Sequence, residues 1–235
     1  MTDLDVIADN LRAVRARVDA AARRATRDPG GITLIAVSKT FDAAAVRAAH
    51  AAGQLHFGEN KVQEALQKIE DTRDLPLKWH LIGHLQSNKA RKAASSFACI
   101  HSLDSLELLR RLDAAAGDAG VRPEILVQVD LAGEDTKFGA SAEVARHLVD
   151  AALQAKALDL AGLMLLPPWN DDQEQTRPWF RRVRELRQQW LDEGVPARAL
   201  RHLSMGMSHD FEAAIEEGST MVRVGTAIFG KRTRM

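Results

Sequence analysis

The sequence predicts an α/β protein that folds as a single (β/α)8 TIM barrel with an extra helix at its N-terminal end. Three observations predict this class. Eight short apolar runs typical of strands recur along the 235 residues, amphipathic stretches typical of helices separate them, and no linker rich in Pro, Gly or Ser divides the chain. A doubly wound open sheet is the alternative, but eight units suit a closed barrel better. We therefore expect one domain over residues 1–235.

The first predicted element is a helix over about residues 2–26. Its apolar residues recur at alternating three- and four-residue steps and so form one stripe. The turn Asp28-Pro29-Gly30-Gly31 ends it, and this helix lies outside the strand–helix repeat. The stripe consists of Leu4, Ile7, Leu11, Val14 and Val18.

Strands and helices are then predicted to alternate, each strand being followed by a helix except the last. The predicted strands are Ile32–Ser38, Gln54–Phe57, Lys78–Ile82, Ala98–His101, Ile125–Asp130, Leu158–Leu163, Leu200–Ser204 and Met221–Val224. The amphipathic stretches between them include Ala43–Ala52, Val62–Glu70, Ser105–Ala116, Glu143–Gln154, Glu174–Leu191 and Phe211–Glu217.

Composition excludes several classes of function. The 32 basic and 32 acidic residues cancel, so the sequence lacks the positive charge expected of a nucleic-acid-binding protein. The one cysteine, Cys99, cannot form an intrachain disulfide or a multi-cysteine metal site. The acidic first residues do not resemble a signal peptide, and no stretch is long and apolar enough for a transmembrane span. We expect a cytoplasmic monomer with neither a nucleic-acid nor a membrane partner.

Lys39 is the first candidate functional residue. It follows the run Ile32-Thr-Leu-Ile-Ala-Val37, which is apolar on both faces and therefore typical of a buried strand. Partial burial of an amine lowers its pKa, so the amine can attack a carbonyl carbon. The alternative is a solvated lysine in the first loop.

Arg223 is the second candidate. Strand alternation directs Val222 and Val224 toward the helices and Arg223 into the barrel, where a guanidinium needs an acceptor. From the residues alone, that acceptor is either a bound cofactor or an inward carboxylate such as Asp130.

The loops after strands seven and eight are candidate phosphate-binding loops, because barrel enzymes often bind phosphate between them. Here those loops carry Ser204-Met-Gly-Met-Ser208 and Gly225-Thr226.

Five separated motifs in this order resemble the pyridoxal phosphate homeostasis proteins, the single-domain relatives of the alanine racemase N-terminal barrel. The resemblance extends from about Ile32 to Gly230. The motifs are Ala36-Val-Ser-Lys-Thr, His56-Phe-Gly-Glu-Asn, Trp79-His-Leu-Ile-Gly-His-Leu-Gln-Ser-Asn-Lys89, Leu203-Ser-Met-Gly-Met-Ser and Gly218-Ser-Thr-Met-Val-Arg-Val-Gly-Thr-Ala-Ile-Phe-Gly230.

The resemblance implies a set of residues that bind pyridoxal 5'-phosphate (PLP). Lys39 would hold the cofactor as a Schiff base, and Arg223 would meet its pyridine nitrogen. Asn60 would lie beside the cofactor, although an N-cap for the following helix explains this residue equally well. The phosphate would be bound at Ser204, Gly225 and Thr226, with Met205 and Gly206 lining the same turn.

The implied function is PLP homeostasis without a strong catalytic activity, in which the protein holds PLP and influences its delivery to apo-enzymes. Arginine at the pyridine nitrogen keeps that nitrogen unprotonated, which makes the ring a poorer electron sink. The chain contains no tyrosine, whereas the related racemases use a lysine and a tyrosine as their two bases. One alternative is a weak PLP-dependent amino-acid racemase or lyase with Lys39 as base and residues such as His84 assisting. Others are a cofactor-free aldolase that forms an imine with its substrate and, more distantly, a PLP-independent adaptor.

Overall fold

The computed structural model of the protein describes residues 3–133 and 138–230. Eight parallel strands form a closed barrel, in which each strand pairs with the next and β8 pairs with β1. The predicted (β/α)8 class is therefore confirmed. The strands are β1 Thr33–Val37, β2 His56–Glu59, β3 Lys78–Leu81, β4 Cys99–Leu103, β5 Glu124–Val129, β6 Asp159–Leu165, β7 His202–Ser204 and β8 Met221–Val224.

Helices surround the barrel, and none in the described ranges is long and apolar enough to cross a membrane. The expectation that no helix follows the last strand is wrong, because one short helix, α9, begins two residues after β8. The helices are α1 Asp3–Arg24, α2 Ala43–Ala51, α3 Val62–Asp71, α4 Ala90–Ser96, α5 Leu106–Ala119, α6 Ala142–Ala152, α7 Arg177–Asp192, α8 Phe211–Glu216 and α9 Thr226–Phe229.

The N-terminal helix α1 occupies the place where a full-length eighth helix of the repeat would lie. It packs against α2, α8 and α9, and the Asn10 amide donates a hydrogen bond to the Ile228 carbonyl oxygen at 3.0 Å. Residue 2 of the predicted range lies outside the described residues. The helix ends before the predicted boundary, and Thr26 beyond it adopts a left-handed φ of +54°, a conformation that commonly terminates helices.

Strand alternation divides the buried side chains of the barrel into two cores. The larger core lies between strands and helices, and includes Phe57 on β2 and Trp79 on β3, whose rings are 5.6 Å apart. The smaller core fills the inside of the barrel, as is usual for eight strands. Its buried members are Ile35, Cys99, Leu126, Ala161, Met164 and Met221.

Strand β2 lies two residues later in the sequence than predicted, at His56–Glu59 instead of Gln54–Phe57. The shift places Glu59 inside the folded protein with no exposed surface. Charged residues normally indicate a loop, but Glu59 is stabilised by an ion pair with Lys68 on α3, with Nζ 2.6 Å from Oε1. This partner is nine residues away in sequence, so the local pattern placed the strand boundary too early.

Candidate functional site

A pocket of about 640 Å³ opens at the carboxyl ends of the strands. This is the end of the barrel where active sites of this architecture lie, and the volume is in the range typical of small-molecule sites. Five of the residues predicted from the sequence line the pocket together: Lys39, Asn60, Arg223, Gly225 and Thr226.

Lys39 lies two residues beyond β1 and is half-buried at the wall of the pocket. The next residue, Thr40, has a left-handed φ of +70°. A β-branched residue rarely adopts this conformation, which costs on the order of 1–3 kcal/mol. The surrounding structure therefore holds the backbone after Lys39 in a turn that is unfavourable for a threonine.

A buried polar cluster beneath Lys39 supplies part of that support. The Ser38 hydroxyl donates to Glu59 Oε1 at 2.7 Å, and Lys68 Nζ donates to the Ser38 carbonyl oxygen, also at 2.7 Å. Lys68 also donates to Glu59 at 2.6 Å. The cluster thus joins the residue before Lys39 to the residue before Asn60, and fixes the ends of β1 and β2 relative to each other.

Asn60 lies at the end of β2, where its backbone is packed closely against Gly83 after β3. A Cβ atom at Gly83 would lie 2.3 Å from the Asn60 carbonyl oxygen, so only glycine fits there. This contact fixes the Asn60 backbone at the edge of the pocket. Asn60 is not an N-cap residue of α3, because that position belongs to Lys61.

Arg223 projects into the barrel, as the strand alternation predicted, and is 3% exposed at the pocket floor. Its Nη1 donates to Ser204 Oγ at 2.6 Å, and its Nη2 donates to the Leu165 carbonyl oxygen at 3.0 Å. Burial lowers the pKa of Arg223 to about 10, and the Asp210 carboxylate partly opposes this effect. The guanidinium is thus held by two neutral acceptors.

The carboxylate that the sequence offered as an alternative partner, Asp130, is engaged elsewhere. Its Oδ1 accepts hydrogen bonds from the backbone amides of Ala132 and Gly133, at 3.0 and 3.1 Å. No ion pair between Asp130 and Arg223 occurs among the described residues. Within the part of the chain that the structure describes, Arg223 therefore faces the pocket without a directly bonded carboxylate.

Three of the predicted cofactor-binding residues are not among those that line the pocket. They are Ser204, predicted to bind the phosphate, and Met205 and Gly206, predicted to line the same turn. All three are buried, and Ser204 serves as an acceptor for Arg223. Gly206 has a φ of +94°, and a Cβ atom on it would lie 2.6 Å from Ala214 Cβ on α8. This turn therefore packs the loop after β7 against α8 beneath the pocket.

The next residues of the same loop, Met207, Ser208 and His209, line the pocket instead. Ser208 Oγ accepts hydrogen bonds from the backbone amides of Gly225 at 3.1 Å and Ala227 at 3.5 Å. Because a hydroxyl also carries one donor, its hydrogen is left to donate to a ligand. Ser208 was part of the Ser/Gly-rich stretch noted in the sequence, but the strand-end rule favoured Ser204.

The rim of the pocket carries His209 and Trp169, whose ring centroids are 4.0 Å apart. His209 Nε2 is 3.3 Å from Oδ2 of the buried Asp210, and burial raises the pKa of Asp210.

His84, named above as an assisting residue, is not among the lining residues. Its Nδ1 is 3.2 Å from Asp104 Oδ2, and its ring stacks on Phe138 at 3.7 Å.

The barrel and its pocket define the class of protein. The family model of the alanine racemase N-terminal domain matches residues 3–233. The chain is 46% identical over 230 residues to the pyridoxal phosphate homeostasis protein of Pseudomonas aeruginosa, which covers 97% of each chain. It is 41% identical over 229 residues to the protein of that name from Escherichia coli K12, covering 96% of this chain and 97% of the other. The chain belongs to the pyridoxal phosphate homeostasis protein family.

A solved relative has the same architecture. The PipY protein of Synechococcus elongatus PCC7942, in its structure with PLP bound, is 42% identical to this chain and superposes with a TM-score of 0.84. The match covers 95% of this chain and 100% of PipY. The predicted family and the predicted barrel are thus both confirmed.

Proposed function

We propose that the chain binds PLP in the pocket described above and takes part in PLP homeostasis. The observation that carries this proposal is the lining of one pocket by an amine, a hydroxyl donor and a buried guanidinium, from Lys39, Ser208 and Arg223. These groups match the aldehyde, the phosphate and the ring nitrogen of the cofactor. The PLP-bound structure of PipY, at 42% identity, supports the same ligand.

Each lining residue has a defined task in this proposal. PLP supplies an aldehyde, which an amine attacks to give a Schiff base with loss of one water. Lys39 provides the amine, and its turn holds it at the pocket wall. Ser208, Gly225 and Thr226 bind the phosphate, Asn60 contacts the cofactor edge, and Arg223 donates to the ring nitrogen.

The proposed role is that of a carrier rather than a strong catalyst. Arg223 is a donor with no acceptor capacity, so it cannot supply the carboxylate that keeps a pyridine nitrogen protonated and electron-withdrawing. The chain also lacks tyrosine altogether, and so lacks the second base of the related racemases. A reversible covalent bond to Lys39 would sequester a reactive aldehyde until an apo-enzyme receives it.

The visible absorption spectrum of the purified protein tests the proposal. We expect an imine band that borohydride removes, with the added mass of reduced PLP on the peptide containing Lys39. Lys39→Ala should lose the band, whereas Lys92→Ala, at an exposed position on α4, should keep it. Absence of a band after addition of PLP would contradict the proposal, and an imine trapped only with carbonyl substrates would favour an aldolase.

A weak racemase or lyase activity is the second candidate, and one observation favours it. His209 lines the pocket and places a second titratable side chain beside Lys39, which could exchange a proton with a bound amino acid. Turnover of D- or L-amino acids by the PLP-loaded protein, lost in both Lys39→Ala and His209→Phe, would support this candidate. Undetectable turnover would leave the carrier role alone.

A further inference from the structure

A continuous chain of hydrogen bonds crosses the inside of the barrel and ends at Arg223. His56 Nδ1 is 2.9 Å from His80 Nε2, and His80 Nδ1 is 3.0 Å from His101 Nε2. His101 Nδ1 is 2.8 Å from Ser204 Oγ, the atom to which Arg223 donates at 2.6 Å. We call these three residues, His56, His80 and His101, the histidine chain.

Counting protons fixes the direction of the chain. Arg223 has donors only, so Ser204 Oγ must accept from it and has its own hydrogen left to donate. If that hydrogen goes to His101 Nδ1, His101 and then His80 each donate from Nε2 to the Nδ1 of the next ring. Every ring nitrogen of the chain except the outermost, His56 Nε2, then has a partner among the recorded contacts. In the reverse direction Ser204 would accept from both Arg223 and His101. Its hydrogen would then lack an acceptor among the contacts recorded for the described residues.

Burial keeps the middle of the chain neutral. His101 has no exposed surface and His80 is 3% exposed. Burial is the main reason that the pKa of His80 falls to about 3 and that the pKa of His101 lies well below its ordinary value. Both rings therefore act near neutral pH as fixed dipoles and not as carriers of charge.

The outer end of the chain reaches a second cavity. His56 is half-buried and lines a cavity of about 360 Å³ together with Arg15 and Asp19 of α1 and Gln54. This cavity lies at the amino-terminal end of the strands, opposite the main pocket. The histidine chain, extended by Ser204 and Arg223, therefore connects this cavity to the main pocket.

We propose that the histidine chain is a positioning network for Arg223. It commits the Ser204 hydroxyl to donate toward His101, so that the lone pairs of Ser204 always face the guanidinium. Together with the Leu165 carbonyl, this aims Arg223 at the pocket without a carboxylate. The consequence for ligand binding rests on the proposed function, because it concerns the donor that Arg223 offers to the pyridine nitrogen.

The ligand-free protein tests the network independently of PLP. In protein labelled with ¹⁵N-histidine, NMR at neutral pH should identify His80 and His101 as neutral rings protonated at Nε2. Ser204→Ala removes the donor and should shift the His101 Nδ1 signal, whereas Ser204→Thr should restore it. An Nδ1-protonated His101 in the unaltered protein would overturn the proposal.

A metal site is the competing interpretation of the same residues. His80, His101 and the buried Cys99 offer ligand atoms within 4.8 Å of one another. A metal would replace the proton shared by the two imidazoles. Elemental analysis of the purified protein that found one bound zinc per chain, lost in Cys99→Ala, would therefore overturn the positioning network.

Affinity measurements test the consequence for Arg223. The probes are PLP and its 1-deaza analogue, in which C–H replaces the ring nitrogen. We expect His101→Phe and Ser204→Ala each to weaken PLP binding about tenfold, equivalent to about 1.4 kcal/mol, and to change the affinity for the deaza analogue less than twofold. His147→Phe, at an exposed position on α6, is the control and should change the affinity for neither ligand.

Each contrary result has a distinct meaning. Equal weakening of both ligands by His101→Phe would assign the chain to packing alone and overturn the positioning role. Equal weakening by Ser204→Ala alone would indicate that Ser204 binds the phosphate directly, and would also overturn that role. If neither ligand binds the unaltered protein, the proposed function fails, while the tautomers measured by NMR still decide the existence of the network.

Discussion

Lys39 illustrates how a single residue becomes functional through its neighbours. Its side chain lines the pocket. The residues that hold its backbone, Ser38, Glu59 and Lys68, are not among the lining residues. The charged pair among them is almost fully buried, with exposed side-chain fractions of 10% for Lys68 and 0% for Glu59. Removing one charge would leave the other buried without a partner, which is the costly case for an ion pair.

We predict that Lys68→Met lowers the free energy of unfolding by roughly 3–5 kcal/mol, because it leaves the Glu59 carboxylate buried in the interior without its charged partner. Denaturant titration measures this change. Lys68→Met combined with Glu59→Gln should recover part of the loss, since no uncompensated charge remains. Lys61→Met, at an exposed ion pair with Glu64, is the matched control and should change stability by less than about 1 kcal/mol.

Single residues also show what the sequence could and could not predict about the site. Lys39 and Arg223 were found from strand ends and strand alternation, which are local patterns, and both line the pocket. Sequence reasoning named Ser204 and not Ser208, although Ser208 is the one that lines the pocket, because the depth of a residue in a loop depends on how that loop packs on α8. The histidine chain was also missed, since its members lie on three different strands and no spacing in the sequence connects them.

At the scale of elements, the loop after β7 depends on a close approach to α8. Gly206 adopts a φ of +94°, and its Cα lies so near α8 that a Cβ would meet both Ala214 and the Phe211 backbone. The loop can present Ser208 to the pocket only because Gly206 passes beneath it. The geometry of the expected phosphate site therefore depends on a residue that the ligand does not touch.

We predict that Gly206→Ala destabilises the protein by more than Gly194→Ala, which is the matched control. Both glycines have a positive φ, of +94° and +97°, but a Cβ at Gly194 meets nothing within 4 Å. Gly194→Ala should therefore cost only the backbone strain, about 1–2 kcal/mol. Gly206→Ala adds a clash and should also weaken PLP binding; equal effects on stability would contradict this account.

Helix α1 shows a second dependence between elements. Its apolar stripe was readable from the sequence, and Leu11 in the stripe has no exposed surface. The elements that the stripe packs against could not be predicted from the sequence, because α2, α8 and α9 are spread along the whole chain. The short length of α9 explains the arrangement, since four residues cannot cover the space between α8 and α2.

We predict that Leu11→Ala lowers the free energy of unfolding by roughly 2–5 kcal/mol, the usual cost of emptying a buried leucine site. Arg12→Ala, at the neighbouring exposed position, should change it by less than about 0.5 kcal/mol. Thermal or denaturant unfolding measures both. A small effect of Leu11→Ala would mean that α1 packs loosely and that the barrel is stable without it.

At the scale of the whole molecule, burial shifts the pKa values of titratable groups in two directions. His80 and His101 have lowered pKa values, whereas burial raises the pKa of Asp104 and Asp210. The two kinds of group affect stability in opposite directions as the pH falls. The histidines bind fewer protons in the folded state than in the unfolded state, and so favour unfolding in acid.

We predict that stability falls as the pH is lowered from about 6.5 toward the folded-state pKa of His80, near 3. A histidine ionises at its ordinary pKa in the unfolded chain but stays neutral when folded. Each such histidine contributes up to about 1.4 kcal/mol per pH unit in that window. Urea unfolding between pH 7.5 and 5 measures the slope. His80→Gln should flatten it, and an unchanged slope would argue against a neutral buried His80.

The monomeric state and the cytoplasmic location stay predictions at this scale. Light scattering on the purified protein checks the first: a mass equal to one chain is expected, with or without PLP.

The packing of α1 against α9 has a consequence for how the protein is made. Asn10 and its acceptor at Ile228 are 218 positions apart, and β1 finds its second neighbour only in β8. During synthesis the apolar stripe of α1 and one edge of β1 must therefore wait for nearly the whole chain to leave the ribosome. The barrel therefore closes last. Nascent chains stalled before β8 should expose the apolar face of α1 and an unpaired sheet edge, both of which chaperones recognise.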